Sequence, residues 1–183
     1  ERVYTGMFNN LCWYYDVYHT SDEGLAMTGL IANPNDGNST ADFWLVKTDE
    51  NGELEWQQAY NPGDWGVSRS YSVIETDDGG FLMGGRSGRA GNNNFRFTVI
   101  RTDDGGDTQW WFTHEEYAEC YSVIELKDGN YIGCGMKSRT AYVVKFDDDG
   151  DIVWTHEYGQ GVLFRSVKEV AGGYLLAGYS RPR

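Results

Sequence analysis

Two short segments of the sequence carry oxygen-bearing side chains at alternate positions around a glycine, and the segment from Asp103 to Asp107 is a weaker copy. The clearest has an Asp-x-Asp-Gly-Asp pattern that begins at Asp147, and an Asp-x-Asn-Gly-Glu segment begins at Asp49. Carboxylate and amide oxygens at such positions are ligands for calcium, although no segment has the position-12 glutamate of an EF-hand loop. The same residues are also typical of tight turns, so both interpretations stay open. The calcium candidates are Asp49, Asn51, Glu53, Asp103, Asp107, Asp147, Asp149 and Asp151.

Other chemistry-bearing residues give no catalytic motif. No local pattern combines a nucleophile, a base and an orienting group, so we predict that the chain is not an enzyme. A propeller glycosidase or lyase would need paired acids in a cleft, whereas the obvious acids here lie in turns. Glutamate recurs at one strand position of the repeat described below, where it either lines a channel and binds a cation or faces water. These residues are Glu75, Glu125 and Glu169.

Polar connecting segments hold the candidates for ligand binding. Trp65 lies in the segment 61–66, and Tyr117 follows a His-Glu-Glu segment. Binding residues concentrate on loops that a rigid scaffold holds, so both aromatic residues are candidates for sugar or peptide stacking. The alternative for both is ordinary packing at a sheet edge. Asn38 begins an Asn-Ser-Thr sequon and is the candidate glycosylation site.

Charge and composition exclude several classes of partner. The 183 residues include 15 Lys+Arg and 28 Asp+Glu, which gives a net charge of -13. Phosphate groups would be repelled, so we expect neither nucleic acid nor an anionic membrane surface as a partner. No apolar run approaches the roughly 20 residues of a membrane-spanning helix. Aromatic residues make up 15% of the chain, and they supply enough apolar surface to predict a folded domain.

The cysteines and the first residue bear on the cellular compartment. The three cysteines show no C-x-x-C spacing, which argues against a zinc site. Either all three are buried as small hydrophobic residues, or two of them form a disulfide in an oxidising compartment. The chain begins at Glu1 without an initiator methionine, as a processed secreted chain or a fragment would. The cysteines are Cys12, Cys120 and Cys134.

An internal repeat supplies the elements that position these residues. Segments 17–29, 73–85, 123–135 and 167–178 each contain an apolar run, a polar turn with glycine and a second apolar run. Three of them are followed by a second such unit, in which a turn aspartate precedes a tryptophan by seven residues. Both units are β-hairpin signals, and no segment shows a helical period. The tryptophans are Trp56, Trp110 and Trp154.

Four antiparallel strands in a period of 44 to 56 residues match the size of a β-propeller blade. A blade cannot bury both faces alone, so the repeats must stack, with the tryptophan as a wedge between neighbours. The strings DDGGFLMGG, FTVIRTDDGGDTQWW and AYVVKFDDDGDIVWTHEYG resemble the repeats of secreted bacterial and archaeal β-propellers. The resemblance covers nearly the whole chain from Trp13 onward. It implies a β-propeller in a surface or secreted protein and assigns no reaction.

The strand count decides how such a propeller would close. Fourteen strands are visible, and the segment 2–8 is predicted as a fifteenth that completes the last blade. We therefore predict an all-β, four-bladed β-propeller, a single domain over 1–183. The alternatives are a fragment of a larger propeller and an open-ended assembly in which a neighbouring subunit covers the free edge. The predicted blades are 13–60, 68–114, 120–158 and 164–180 plus 2–8.

Blade topology places the hairpin turns on one face, here called the turn face, and the other connections on the opposite loop face. More than half of the acidic residues fall on the turn face, opposite Lys127 alone. We predict a non-catalytic extracellular recognition, adhesion or assembly module that binds protein or glycan at the loop face. It carries no cofactor apart from calcium if the acidic loops bind it. The alternatives are a structural subunit of a surface filament, completed by strand pairing between subunits, and a propeller glycosidase or lyase.

Overall fold

The computed structural model describes residues 11–32, 40–62, 66–89 and 94–180. They form fourteen β-strands, and no helix occurs among them. The strands are β1 Cys12–His19, β2 Leu25–Ala32, β3 Ala41–Thr48, β4 Leu54–Tyr60, β5 Val67–Glu75, β6 Phe81–Gly88, β7 Arg96–Thr102, β8 Thr108–Thr113, β9 Ala118–Glu125, β10 Tyr131–Lys137, β11 Thr140–Phe146, β12 Ile152–Gln160, β13 Val162–Val170 and β14 Gly173–Ser180.

The strands form three four-strand units and a terminal hairpin. Unit 1 (β1–β4), unit 2 (β5–β8) and unit 3 (β9–β12) are antiparallel meanders, and β13 pairs with β14 in the terminal hairpin. One parallel bridge between Ala41 and Val67 joins units 1 and 2 into a single eight-stranded sheet. The predicted all-β class and the predicted hairpins are confirmed.

The acidic Gly turns close these hairpins by local hydrogen bonds. In the β5–β6 turn, the Gly79 N–H donates to the Thr76 carbonyl at 2.8 Å, and the Thr76 N–H donates to the Gly80 carbonyl at 2.9 Å. Gly79 has a φ of 87°, a left-handed conformation that glycine adopts without steric cost. Asp78 Oδ1 accepts from the Gly80 N–H at 3.2 Å. The Asp-Gly sequence therefore fixes the turn and, through it, the register of the two strands.

The four hairpins β1–β2, β5–β6, β9–β10 and β13–β14 each contain a β-bulge in the first strand at the same position of the repeat. The pairing register shifts between Tyr14 and Asp16 in β1, and between Ser70 and Ser72 in β5. A glycine faces each bulge because the backbones approach closely there: a Cβ on Gly85 would overlap the carbonyl oxygen of Arg69. The last glycine of each repeat thus permits the bulge, and a bulge rotates the extra side chain out of the ladder. The four glycines are Gly29, Gly85, Gly135 and Gly178.

Apolar clusters lie between consecutive units, and the predicted tryptophan wedges are part of them. Trp56 of unit 1 packs edge-on against Phe81 of unit 2, with ring centroids 5.6 Å apart. Trp110 of unit 2 lies 5.8 Å from Phe146 of unit 3. Its indole N–H also donates to a backbone carbonyl in the β11–β12 turn at 2.8 Å. Each unit therefore buries a face only against the next one, as expected for stacked repeats.

The cysteines belong to these clusters. Cys120 lies in the core between units 2 and 3, and Cys134 lies in the core between unit 3 and the terminal hairpin. All three cysteines are free thiols, and Cys12 is half-buried. Burial raises the pKa of Cys134 to about 12 and places that of Cys120 well above its usual range. Of the two interpretations, the structure favours buried small hydrophobic residues.

Closure of the predicted ring stays a prediction. Within the described ranges, no strand pairing joins the terminal hairpin to unit 1. The segment 2–8, predicted as the strand that completes the last blade, lies outside the described residues. The described part of the chain also contains no helix long and apolar enough to cross a membrane.

Candidate binding site

The four bulged residues come together in one row, here called the bulge row: Tyr15, Tyr71, Tyr121 and Arg165. The rings of Tyr15 and Tyr71 meet edge to face with centroids 5.3 Å apart, and Tyr71 and Tyr121 lie 5.7 Å apart. The Arg165 guanidinium carbon stands 3.8 Å from the centroid of the Tyr121 ring, which is cation–π distance. The repeat therefore places one side chain per unit on a shared surface.

Hydrogen bonds between the first strands align the row. The Val73 N–H of unit 2 donates to Asp16 Oδ2 of unit 1 at 3.0 Å. One unit further along, the Val123 N–H donates to Ser72 Oγ at 3.3 Å. Asp16 and Ser72 each follow a bulged tyrosine directly. The same bulge therefore orients both the tyrosine ring and the side chain that accepts the hydrogen bond. The first strands of the units consequently stand side by side.

A buried ion pair lies beside the row. Arg86 Nη1 is 2.9 Å from Glu119 Oε1, and the Glu119 side chain is 6% exposed. The Arg86 guanidinium also stacks on Phe95 at 3.6 Å from the ring centroid and lies 5.8 Å from that of Tyr71. The second carboxylate oxygen of Glu119 is also hydrogen-bonded, because the Tyr121 hydroxyl donates to Oε2 at 3.1 Å.

Tyr117, predicted from its loop position, lies in this cluster. Its hydroxyl donates to Glu119 Oε1 at 3.2 Å, and its side chain is half-buried. The predicted role in ligand contact stays a prediction, and the structure adds a role in holding Glu119. Trp65, the other aromatic candidate, and Asn38, the candidate glycosylation site, lie outside the described residues.

The phenols of the cluster stay protonated over the physiological pH range. Burial raises the pKa of Tyr71 to about 12. Burial also raises the pKa of Tyr121 and of Tyr117, and the neighbouring Glu119 carboxylate adds to both effects. A neutral phenol donates its proton to a carboxylate. The three tyrosines are therefore neutral, and Tyr117 and Tyr121 donate hydrogen bonds to Glu119.

The recurring glutamates connect the units. Glu75 Oε2 accepts from the Ser21 N–H in the turn of unit 1 at 2.6 Å. Glu125 accepts from the Asp77 N–H at 2.7 Å, and in the terminal hairpin Glu169 accepts from the turn of unit 3 at 3.2 Å. The sequence left two interpretations, a channel lining and a solvent-facing strand residue. The structure gives these side chains a third role, as acceptors for the turn of the preceding unit.

The calcium candidates occupy the β3–β4, β7–β8 and β11–β12 turns on the turn face. The first aspartate of each segment accepts backbone hydrogen bonds within its own turn: Asp49 Oδ1 binds the Glu53 N–H at 2.7 Å, and Asp147 Oδ1 binds the Asp151 N–H at 2.8 Å. Over the described ranges, no group of three or more His, Cys, Asp or Glu side chains is arranged to hold a metal ion. The geometry is that of turn chemistry, and calcium binding stays a prediction.

Cations from the third strands neutralise part of the acidic turn face. Lys47 Nζ lies 2.6 Å from Asp22 Oδ2 and 2.8 Å from Glu55 Oε2. In unit 2, Arg101 pairs with Asp78 in the same way. The expectation that the acids face Lys127 alone is therefore wrong. It failed because these cations start on buried strands, and their stems carry the charge to the hairpin end.

A groove with a volume of about 360 Å³ opens between units 1 and 2 on the turn face. Trp56 and Phe81 line it, together with charged side chains that include Asp22 and Lys47. Lys47, the cation of this lining, already pairs with Asp22 and Glu55, so it is not free to bind an anionic ligand.

Sequence reasoning missed the bulge row, although a signal for it exists. Each bulged residue stands two positions before the repeated valine, as in Tyr71-Ser-Val and Tyr121-Ser-Val. A tyrosine at this position in three of the four repeats does not fit the alternation of apolar and polar residues along the strand. That misfit is the sign of a bulge that the sequence offers. Arg86 and Glu119 give no such sign, because their positions hold different residue types in the other units.

Comparison with known proteins supports the fold alone. No family model matches this chain, and no curated protein matches it at a significant level. A solved structure, described as a protein of unknown function from Bacteroides caccae, is similar with a TM-score of 0.55 and 15% sequence identity. The match covers 81% of this chain and 50% of that one. The chain thus spans about half the length of the solved structure that it resembles.

Proposed function

We propose that the chain is a non-catalytic extracellular recognition module, with its units arranged as the blades of a β-propeller. Support for that arrangement comes from the same inter-unit contacts recurring along the chain. A side-chain oxygen on the first strand of one unit accepts from the backbone N–H of the repeated valine in the following unit. A glutamate on the first strand of a unit accepts from a backbone N–H in the hairpin turn of the preceding unit. The first strands of propeller blades lie side by side around an axis, which agrees with these contacts.

The bulge row carries the proposal that the module binds a ligand. Three tyrosine rings and one arginine stand together toward the loop face, with Tyr15 and Arg165 exposed. Aromatic and arginine side chains are the residues most enriched where proteins bind partners. A rigid β scaffold holds them in place, so little ordering entropy is lost when a ligand binds.

A binding screen with matched variants tests this proposal. The wild-type protein is assayed against glycan and peptide arrays beside Tyr15→Ala, which removes an exposed ring of the row. Trp111→Ala is the control, because Trp111 is 58% exposed on β8, outside the row. We expect a ligand whose binding is lost in Tyr15→Ala and kept in Trp111→Ala. Equal binding by both variants would contradict the site, and turnover of any substrate would contradict the non-catalytic role.

Assembly between subunits is a second candidate function, favoured by an uncovered face on unit 1. Val17 is 58% exposed, whereas its counterparts Val73, Val123 and Val167 are at most 2% exposed because each packs on the preceding unit. Val17 thus belongs to a surface that, in the other repeats, the preceding unit covers. Among the described residues, no unit packs on it.

The terminal hairpin has the complementary surface. Leu175 is 63% exposed, whereas its counterparts Leu82 and Ile132 are fully buried against the following unit. If subunits associate head to tail through these faces, sedimentation velocity will show species that grow with protein concentration. Leu175→Lys should abolish that growth, while Leu54→Lys, on the outer strand of unit 1, should not. A wild-type protein that stays monomeric at all concentrations rules this candidate out.

A further inference from the structure

The bulge row and its surroundings carry positive charge in a strongly acidic protein. Arg165 stands in the row itself, and Arg86 approaches Tyr71. Arg69 is the cross-strand partner of Arg86, and its charge lowers the pKa of Tyr71 against the larger effect of burial. Three arginines therefore lie in or beside the row, and Arg86 pairs with the buried Glu119 carboxylate, although the chain has a net charge of -13. Such a local reversal of sign favours an anionic group on a ligand.

These arginines have donors that the described residues do not use. The Nε atoms of Arg69 and Arg86 are buried without a hydrogen-bond partner in the described part of the chain, so these two arginines act on a surface ligand by their charge and not through these donors. Arg165 is exposed and stacks its face on Tyr121. A guanidinium that stacks by its face keeps its N–H edge for in-plane hydrogen bonds, and carboxylates accept two such bonds in parallel. Arg165 thus offers the exposed donor edge that a carboxylate needs.

The tyrosines define what accompanies the carboxylate. Tyr71 lies beside the Arg86 guanidinium and meets the exposed Tyr15 ring edge to face. The hydroxyl of Tyr121, the third ring of the row, donates to Glu119. Ring faces contact flat, partly apolar groups and exclude water from the hydrogen bonds next to them. A sugar ring that bears a carboxylate combines such a face with such a charge.

The acidic surroundings limit the number of charges on the ligand. A polyanion such as a nucleic acid or a polyuronate would bring many charges to a protein of net charge -13, and all but the nearest would be repelled. A single carboxylate can pair with the exposed Arg165 and carries no further charge outward. We infer that the bulge row binds an isolated carboxylate-bearing sugar residue, an assignment that rests on the proposed recognition function.

Titration with a matched pair of sugars tests the inference. D-glucuronate and its methyl ester differ in the carboxylate alone, and their affinities are measured by chemical-shift titration or calorimetry on the full chain. We expect the ester to bind about tenfold more weakly or worse, as for the loss of a charged hydrogen bond. Arg165→Met should remove that difference. Lys168→Met, which deletes a charge from the same strand toward the turn face, should keep it.

The remaining outcomes separate this inference from the proposed function. Equal affinity for the two sugars, lost in Tyr15→Ala, would overturn the carboxylate assignment and leave a recognition site at the row. Tighter binding of a polyuronate or an acidic peptide than of glucuronate would overturn the assignment to an isolated sugar acid. No binding of either sugar would also overturn it, and the array screen with Tyr15→Ala would then decide the recognition function by itself.

Discussion

Replacing Gly150 by alanine tests whether the tryptophan wedge holds the units together. Gly150 has a φ of +84°, and an added Cβ would stand 2.6 Å from Cδ2 of Trp110. Gly129 is a matched control, since it occupies the same position of a hairpin turn with a φ of +78° and its Cβ would meet nothing within 4 Å. Both substitutions strain the turn, and only the first displaces the wedge.

The expected magnitudes follow from the separate effects. A left-handed alanine costs about 1–2 kcal/mol, and lower entropy of the unfolded chain returns about 0.4–1 kcal/mol. Gly129→Ala should therefore lower the free energy of unfolding by about 1 kcal/mol. Gly150→Ala should add about 1–3 kcal/mol for overpacking against Trp110 and about 1 kcal/mol for its weakened indole hydrogen bond. The total for Gly150→Ala is then about 3–5 kcal/mol.

Urea unfolding followed by circular dichroism measures both variants, with similar m-values required for the comparison. A double-mutant cycle with Trp110→Ala isolates the contact, because Gly150→Ala should cost only about 1 kcal/mol once the indole is gone. If Gly150→Ala costs the same in both backgrounds, or no more than Gly129→Ala, the wedge does not carry the inter-unit packing and the reasoning is refuted.

Two further predictions concern titration and thiol reactivity. The hydrogen bond from Lys145 lowers the pKa of Asp128, and the same bond raises the pKa of Lys145. The stability from this pair should therefore decline as pH falls below about 4 or rises above about 10. Lys145→Met should flatten both limbs of a plot of unfolding free energy against pH, and unchanged limbs would show that other groups cause them. In the native protein, Cys12 should react with a thiol reagent, while Cys120 and Cys134 stay unreactive until unfolding because they are buried and remain protonated; equal rates at all three would contradict this.

Local chemistry made part of the fold predictable. The Asp-Gly turns predict the hairpins, because an aspartate that accepts a hydrogen bond within the turn and a glycine with positive φ are neighbours in the sequence. The tryptophan wedges were predictable for a similar reason, since one large apolar residue in register with each turn has few other places to pack. Trp56 and Trp110 contact the following unit as expected.

The bulge row depends on contacts that the sequence does not display. A bulge becomes visible only when two strands are paired, and the glycine that permits it, such as Gly85, lies on the other strand. The role of Glu75 was hidden for a different reason. Its donor is a backbone N–H in another unit, and every residue type except proline offers that group. Residue identities alone could not assign either contact.

The bond between a strand glutamate and the preceding turn has a consequence for how such chains diversify. Its donors are the main-chain N–H groups of Ser21, Asp77 and Lys127, three residues with unlike side chains. The side chains of the turn can therefore change without weakening this hydrogen-bonded joint between units. A duplicated unit would carry its own glutamate, which could accept from the backbone of any turn that precedes it. The joint also has a direction, because each unit gives a turn to its successor and a carboxylate to its predecessor. The joint is therefore compatible with adding or removing a whole unit, because it uses no side chain of the turn and leaves the residue at each bulge unconstrained.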